Sequence, residues 1–152
     1  MTTKREIDDF LAQKTLAIVG VSRSGRKFGN TILKDLTKQG YRLLPIHPHA
    51  TEVDGVPAFP SFNALPETVG GVIVVVPPSR TEEVVKEAAA HGVRRVWLQQ
   101  GASSPEAIRF CQEQGMSVVH GHCVLMFTQP STSWIHGAHR WVWELVGRAP
   151  RP

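Results

Sequence analysis

A turn of small residues follows the first strongly apolar segment of this 152-residue chain. It has the pattern Gly-x-Ser-x-x-Gly, and it consists of Gly20, Val21, Ser22, Arg23, Ser24 and Gly25, followed by the cations Arg26 and Lys27. Glycines in such a turn let the backbone approach a pyrophosphate, and the N–H groups that open a following helix bind anions. Ser22 at the middle position adds a hydroxyl donor, but its β-carbon keeps a dinucleotide pyrophosphate from lying flat. The turn predicts a ligand that carries phosphates and that need not be NAD.

Imidazole and thiol groups form a second candidate for chemistry. Cys123 lies beside His122 and close to His120, and a thiol next to an imidazole can serve as a nucleophile. His136 and His139 add two imidazoles on one face of a helix, so the five groups could bind a transition metal, although their spacing matches no established zinc motif. Ordinary packing of these side chains is the alternative. The residues alone leave open a nucleotide-dependent enzyme that uses Cys123 and His122, and a metal-dependent regulator.

Alternating strands and helices must position these residues. The apolar patterns predict strands over 15–21, 41–46, 71–76, 93–99 and 116–120, and helices over 6–13, 28–39, 81–91, 104–114 and 133–146. A proline-rich stretch at 53–60 predicts a short strand or turn, with one helical turn near 63–65. Ser79 or Thr81 is the expected N-cap of the helix at 81–91. Short connections between alternating elements predict an α/β fold, a single Rossmann-like, doubly wound, mainly parallel sheet with helices on both faces.

The end of the second predicted strand argues against a dinucleotide. In doubly wound folds, ligands bind beyond the carboxyl ends of the strands, and an NAD site places an acidic residue there, about 20 residues after the glycine turn. This chain has His47 and Pro48 at that place, and its nearest acids, Glu52 and Asp54, lie beyond the strand. No arginine follows closely to bind the 2′-phosphate of NADP. A histidine-proline turn without a ligand is the alternative.

Five short segments occur in the order found in a known family. They are Ala-Ile-Val-Gly-Val-Ser (17–22), Gly-Tyr (40–41) with Leu-Pro-Ile-His-Pro (44–48), Val-Val-Val-Pro-Pro (74–78), Val-Trp-Leu-Gln-Gln-Gly (96–101) and His-Cys (122–123). From about residue 7 to residue 123, the chain resembles the small stand-alone CoA-binding proteins. Their single domain is similar to the N-terminal CoA-binding domain of succinyl-CoA synthetase α subunits. The resemblance implies a Rossmann-like domain that binds coenzyme A or an acyl-CoA.

The resemblance also implies a set of ligand-binding residues. The candidates are Gly20, Val21, Ser22, Arg23, Arg26, Lys27, His47, Pro48, Val76, Pro77, Pro78, Gln99, Gly101 and Cys123. The glycine turn would contact the pyrophosphate, His47 and Pro48 would lie near the adenosine, and Val76 with the two prolines would line the opposite wall. The 3′-phosphate of CoA suits basic or neutral neighbours there better than a carboxylate. We expect binding without catalysis, because succinyl-CoA synthetases take their phosphohistidine from a second domain.

Charge, hydropathy and cysteine content indicate which partners and which cellular location to expect. A formal charge of +4 favours anionic ligands, but Lys and Arg are scattered, so we expect no nucleic-acid partner. No apolar stretch approaches the roughly 20 residues of a membrane span, and the N-terminus lacks a signal sequence. With two cysteines and no signal, we expect reduced thiols and a cytoplasmic location.

The C-terminal segment is the last feature of the sequence. We expect the CoA-binding domain to occupy residues 1–130, with 131–152 forming an amphipathic helix and a tail. Three of the four tryptophans fall in 133–146. This helix either packs on its own sheet or forms a homodimer contact.

Overall fold

Parallel strands and the helices that connect them make up the computed structural model, which describes residues 2–128. The strands are β1 (Thr15–Val19), β2 (Arg42–Ile46), β3 (Glu52–Val53), β4 (Val56–Pro57), β5 (Gly71–Val74), β6 (Arg95–Gln99) and β7 (Ser117–His122). The helices are α1 (Lys4–Leu11), α2 (Phe28–Lys38), α3 (Pro78–Ala90), α4 (Pro105–Glu113) and α5 (Leu125–Thr128), with a 3-10 turn at Phe62–Ala64. No helix within these residues is long and apolar enough to cross a membrane.

The central sheet has five strands in the order β2-β1-β5-β6-β7, and every neighbouring pair is parallel. β3 and β4 form a separate antiparallel hairpin. The chain winds outward from β1 to β2 on one side, and from β5 to β7 on the other. The winding direction therefore changes between β1 and β5, and doubly wound folds form a crevice at such a point because the connections after the two strands lead to opposite faces.

Both faces of the sheet are covered by helices. In β1, Leu16 and Ile18 pack in the cluster that holds the apolar residues of α1 and α2, whereas Ala17 and Val19 pack in the cluster that holds those of α3 and α4. Successive strand residues point to opposite faces, so burial on both faces produces a continuous apolar run rather than an alternating one. The predicted doubly wound α/β fold is confirmed.

Trp97, on β6, contacts both α1 and the end of β7. Its side chain is fully buried, and the Phe10 ring of α1 contacts it edge-on at 5.4 Å between centroids. Its indole N–H donates to the carbonyl of His122 at 3.1 Å, which satisfies the one polar atom of a buried tryptophan. The carboxyl end of β7 is thereby fixed against β6.

Several element boundaries differ from the predicted ones. β1 and β5 end two residues early, at Val19 and Val74. The predicted N-cap of the helix after β5 was wrong: the helix begins at Pro78, with Pro77 as N-cap, rather than at Ser79 or Thr81. Proline is well suited to a first helical position, because its fixed φ is helical and no intrahelical donor is needed there. The predicted helix 133–146 and the homodimer contact lie outside the described residues.

Candidate functional site

The connection from β1 to α2 runs across the crevice between β1 and β5. Gly20 opens it with a φ of +117°, and a β-carbon at this position would overlap the carbonyl group of Val75. A β-carbon on Gly29 would lie 2.5 Å from the carbonyl oxygen of Gly20. The turn thus packs directly on the backbone that leaves β5, and the first turn of α2 packs directly on the turn. In a dinucleotide fingerprint, the third glycine allows the helix to pack closely on the turn. In this chain, Gly29 has that role, and Gly25 does not.

The backbone N–H of Ser22 is engaged within the protein, whereas its hydroxyl lies on the exposed side of the turn. The N–H donates to Oδ1 of Asn30 at 2.9 Å and is therefore occupied. The hydroxyl lies 2.9 Å from the hydroxyl of Ser24, on the exposed side of the loop, and it accepts from the N–H of Arg26 at 3.4 Å. Two adjacent hydroxyls on an exposed turn can donate to phosphate oxygens.

The three cations of this loop, Arg23, Arg26 and Lys27, are all exposed. Within residues 2–128 the ion pairs involve other cations, namely Lys4, Lys34, Arg42, Lys86 and Arg95. A cluster of like charges without counter-charges creates a positive potential that attracts anions. The three cations of the glycine turn therefore form no ion pair with an acidic side chain of the described residues.

The two helices that flank the crevice start without a side-chain cap. Lys27 and Pro77, the N-caps of α2 and α3, form no capping hydrogen bond, and neither helix has an acidic residue in its first turn. By contrast, Thr3 caps α1 and Ser104 caps α4. The first N–H groups of a helix need partners, and an anion supplies them where side chains do not. The uncapped starts therefore coincide with the place where doubly wound folds bind ligands.

His47 closes one side of this region at the end of β2. Its Nδ1 accepts hydrogen bonds from the backbone N–H groups of His49 and Ala50 at 3.0 and 3.1 Å, so the ring is neutral and its proton lies on Nε2. Burial lowers the pKa of His47, and the positive charges of Arg23, His49 and Lys27 lower it further. The structure thus brings His47, and the exposed Pro48 after it, beside the cations of the glycine turn.

The opposite wall begins where β5 ends. Val76 is buried, whereas Pro77 and Pro78 are exposed at the start of α3. Thr81, one turn into the helix, is fully buried and donates its hydroxyl proton to the carbonyl of Ala102 at 2.5 Å. This hydrogen bond ties the start of α3 to the connection after β6.

The remaining predicted residues lie at the ends of β6 and β7. Gln99 is only 2 % exposed, and its Oε1 accepts from the N–H of Val124 at 3.0 Å, which holds the connection to α5. Gly101 is exposed in the turn after β6, with a φ of +93°, and Cys123 is partly buried. A ligand contact by these three residues stays a prediction.

Cys111, His120 and His122 are buried or partly buried. Cys111 is buried on α4, and burial raises the pKa of its thiol to about 11. Burial also lowers the pKa of His120 and of His122, whose ring lies edge-on to Phe127 at 5.7 Å between centroids. In the part of the chain that is described, no three His, Cys, Asp or Glu side chains form a group that could hold a metal. His136 and His139 lie outside it.

Two polar residues that the sequence patterns did not single out hold the glycine turn. Asn30 is fully buried in the first turn of α2, and its Nδ2 donates to the carbonyl of Ser22 at 3.0 Å and to Oδ2 of Asp54 at 2.8 Å. The sequence could have indicated Asn30, because the helical pattern places it near the core face. A buried amide needs hydrogen-bond partners, so a polar residue at that position predicts a structural role. The partner, Asp54, lies 24 residues away and has no signal in the spacing.

Comparison with known proteins gives consistent matches over most of the chain. The family described as CoA binding domain matches residues 14–129. The alpha subunit of the ADP-forming acetate–CoA ligase II of Pyrococcus furiosus is 26 % identical over 129 residues, which cover 78 % of this chain. The chain spans only 28 % of the length of that subunit.

Two further proteins match along nearly their whole length. The uncharacterized protein YneT of Bacillus subtilis is 29 % identical over 126 residues, which cover 80 % of this chain and 91 % of YneT. The solved structure of a conserved hypothetical protein of Pyrococcus furiosus has a TM-score of 0.72 and 37 % identity, and covers 76 % of this chain and 99 % of that one. The match over residues 14–129 confirms the resemblance found in the sequence, and the chain belongs to the CoA binding domain family.

Proposed function

We propose that this chain binds coenzyme A or an acyl-CoA in the crevice between β1 and β5, and that it does so without catalysing a reaction on its own. The observation that carries the proposal is the pairing of two uncapped helix starts with three cations that form no ion pair within residues 2–128. A pyrophosphate supplies both the hydrogen-bond acceptors and the negative charge that this arrangement requires.

The parts of the ligand are assigned along the edge of the sheet. The pyrophosphate lies over Gly20, Val21 and Ser22, with Arg23, Arg26 and Lys27 as counter-charges. The adenosine lies toward His47 and Pro48, where the Nε2–H of a neutral imidazole is available as a donor. Val76, Pro77 and Pro78 form the other wall. Gln99, Gly101 and Cys123 lie toward the thiol end.

The same geometry disfavours NAD. A dinucleotide site needs a carboxylate at the end of β2 to bind the ribose hydroxyls, and His47 occupies that place. Asp54 is the carboxylate that contacts the glycine turn, through Asn30. Its Oδ2 accepts a hydrogen bond from Asn30 at 2.8 Å, and its Oδ1 lies 3.9 Å from the ammonium of Lys34. Its oxygens are therefore engaged with protein partners.

Calorimetric titration with CoA, acetyl-CoA, NAD and NADP tests the proposal. We expect saturable binding of CoA and no heat with NAD. Arg23→Ala should weaken CoA binding about tenfold to a hundredfold, because a charge-assisted contact to phosphate contributes about 1.5–3 kcal/mol. Arg109→Ala, which removes an exposed cation from α4, serves as the matched control and should leave the affinity unchanged. Heat with NAD and none with CoA would overturn the proposal.

A further inference from the structure

Asn30 joins the glycine turn to the β3–β4 hairpin through one side chain. Its Oδ1 accepts from the N–H of Ser22 at 2.9 Å, and its Nδ2 donates to the carbonyl of the same residue at 3.0 Å. The amide thus binds both polar backbone groups of one residue in the turn. The second proton on Nδ2 goes to Oδ2 of Asp54 at 2.8 Å. Both amide protons and the carbonyl oxygen of Asn30 are engaged, as a fully buried amide requires.

Asp54 is held in place by the hairpin turn. It occupies the first turn position between β3 and β4 with a φ of +50°, and Gly55 follows with a φ of +80°. Two consecutive positive φ values define the tight turn that Asn-Gly and Asp-Gly sequences favour in hairpins. The side chain of Asp54 is only 17 % exposed. The hairpin therefore presents a fixed carboxylate to Asn30.

We propose that Asn30 and Asp54 are positioning residues for the phosphate-binding turn: Asp54 fixes the orientation of the Asn30 amide, and Asn30 fixes the Ser22 backbone so that the hydroxyls of Ser22 and Ser24 face the ligand. This inference rests on the proposed function of the same turn. It also assigns a role to the hairpin, which lies outside the five-stranded sheet and acts on the ligand through the turn.

The chemistry of the pair suggests variants at position 54 that separate geometry from charge. Asp54→Asn keeps an oxygen that accepts from Asn30 and keeps a residue suited to positive φ, but it removes the charge. Asp54→Gly also tolerates the positive φ but leaves the Asn30 donor without its partner. We expect Asp54→Gly to weaken CoA binding about tenfold, and Asp54→Asn to bind as the unchanged chain does.

Calorimetric titration of CoA with the full chain, together with urea unfolding of each variant, tests the proposal. Lys34→Ala removes the other partner of Asp54 and is the control, with no expected change in affinity. Tighter binding by both Asp54 variants would show that the carboxylate acts by repelling phosphate, and would overturn the inference. Equal affinity of Asp54→Gly and the unchanged chain would overturn it as well. Absence of CoA binding by the unchanged chain would refute the proposed function instead.

Asn30→Ala tests the same proposal independently, by removing the amide itself. Loss of the amide frees the Ser22 backbone, so CoA binding should weaken at least about tenfold in protein that remains folded. Asn30→Ala combined with Asp54→Gly should bind no more weakly than Asn30→Ala alone, because Asp54 acts through Asn30. A further loss in the double variant would contradict this order of action. If Asn30→Ala does not fold, the Asp54 variants decide the question.

Discussion

At the residue scale, the site depends on a glycine that no other residue can replace without moving the backbone. Gly20 combines a positive φ with direct packing on the Val75 carbonyl. Several other glycines of the described chain lie in open turns. Gly92, after α3, has a φ of +80°, and a β-carbon added to it would have no atom within 4 Å. A substitution at Gly92 therefore meets only an unfavourable φ, whereas a substitution at Gly20 meets an unfavourable φ and a steric overlap.

Gly20→Ala should lower the free energy of unfolding by about 3 kcal/mol or more, because the β-carbon adds an overlap to an unfavourable φ. Gly92→Ala, which meets only the unfavourable φ, should cost about 1–2 kcal/mol. Urea denaturation of the two variants measures the difference. Equal losses would mean that the turn does not pack on the Val75 backbone as described.

His47 makes stability depend on pH in a direction that its surroundings determine. Its pKa in the folded chain is lowered, chiefly by burial and then by nearby positive charges. As the pH falls below the unfolded pKa of about 6.5, the unfolded chain takes up this proton first, so the free energy of unfolding decreases. The contribution of His47 is therefore complete above that pH and is lost as the pH falls toward the folded pKa.

His47→Asn keeps a side-chain acceptor for the backbone N–H groups of His49 and Ala50 but cannot titrate. We expect its free energy of unfolding to fall less between about pH 7 and pH 5 than that of the unchanged chain. Part of the dependence should persist, since burial also lowers the pKa values of His120 and His122. Urea titrations at a series of pH values measure both slopes. A steeper slope in the variant would contradict the assignment.

At the scale of elements, the helix starts fall into two classes, those with a side-chain cap and those without one. α1 and α4 begin with side chains that cap their first N–H groups, whereas α2 and α3 do not. Lys27 already has the extended backbone of an N-cap, with φ −84° and ψ 158°, so only its side chain prevents it from capping. A capping residue would make the helix more stable and would occupy the donors that a phosphate needs.

Lys27→Ser and Lys27→Ala test this trade-off as a matched pair, because both remove the charge and only serine can cap. Lys27→Ser should have a free energy of unfolding about 1 kcal/mol higher than Lys27→Ala. It should also bind CoA more weakly than Lys27→Ala, since its hydroxyl competes with the phosphate. Thermal unfolding and calorimetry give the two quantities. Equal CoA affinities in a more stable Lys27→Ser would show that the ligand does not use the start of α2.

The sequence predicts the five strands of the sheet and helices α1 to α4 in their correct order, because buried parallel strands and amphipathic helices have distinct patterns. The start of α3 was misplaced because Pro77 and Pro78 both signal the end of a strand, and only the second also fits the first turn of a helix. No local pattern marks Gly29, because its tight packing on Gly20 depends on the length of the turn. The pairing of Asn30 with Asp54 depends on where the hairpin lies, which no local pattern encodes.

At the scale of the whole molecule, three cations that form no ion pair within the described residues lie at the edge of the sheet where the winding direction changes. The chain has a formal net charge of +4, and five of its cations form ion pairs within residues 2–128. Arg23, Arg26 and Lys27 lie apart from those pairs, on the connection at which the winding direction changes. Positive charge without an acidic partner in the described residues thus lies where the fold leaves a crevice, which suits an anionic ligand.

Amide NMR shifts of the isotopically labelled chain locate the CoA site residue by residue and without any substitution. We expect saturation with CoA to shift the amides of residues 20–29 and those that open α3, with smaller changes near His47. The opposite edge of the sheet, where Phe62, His91 and Val93 line a separate cavity, should not respond. Shifts confined to that opposite edge, or spread evenly over the chain, would contradict a phosphate site at the crevice between β1 and β5.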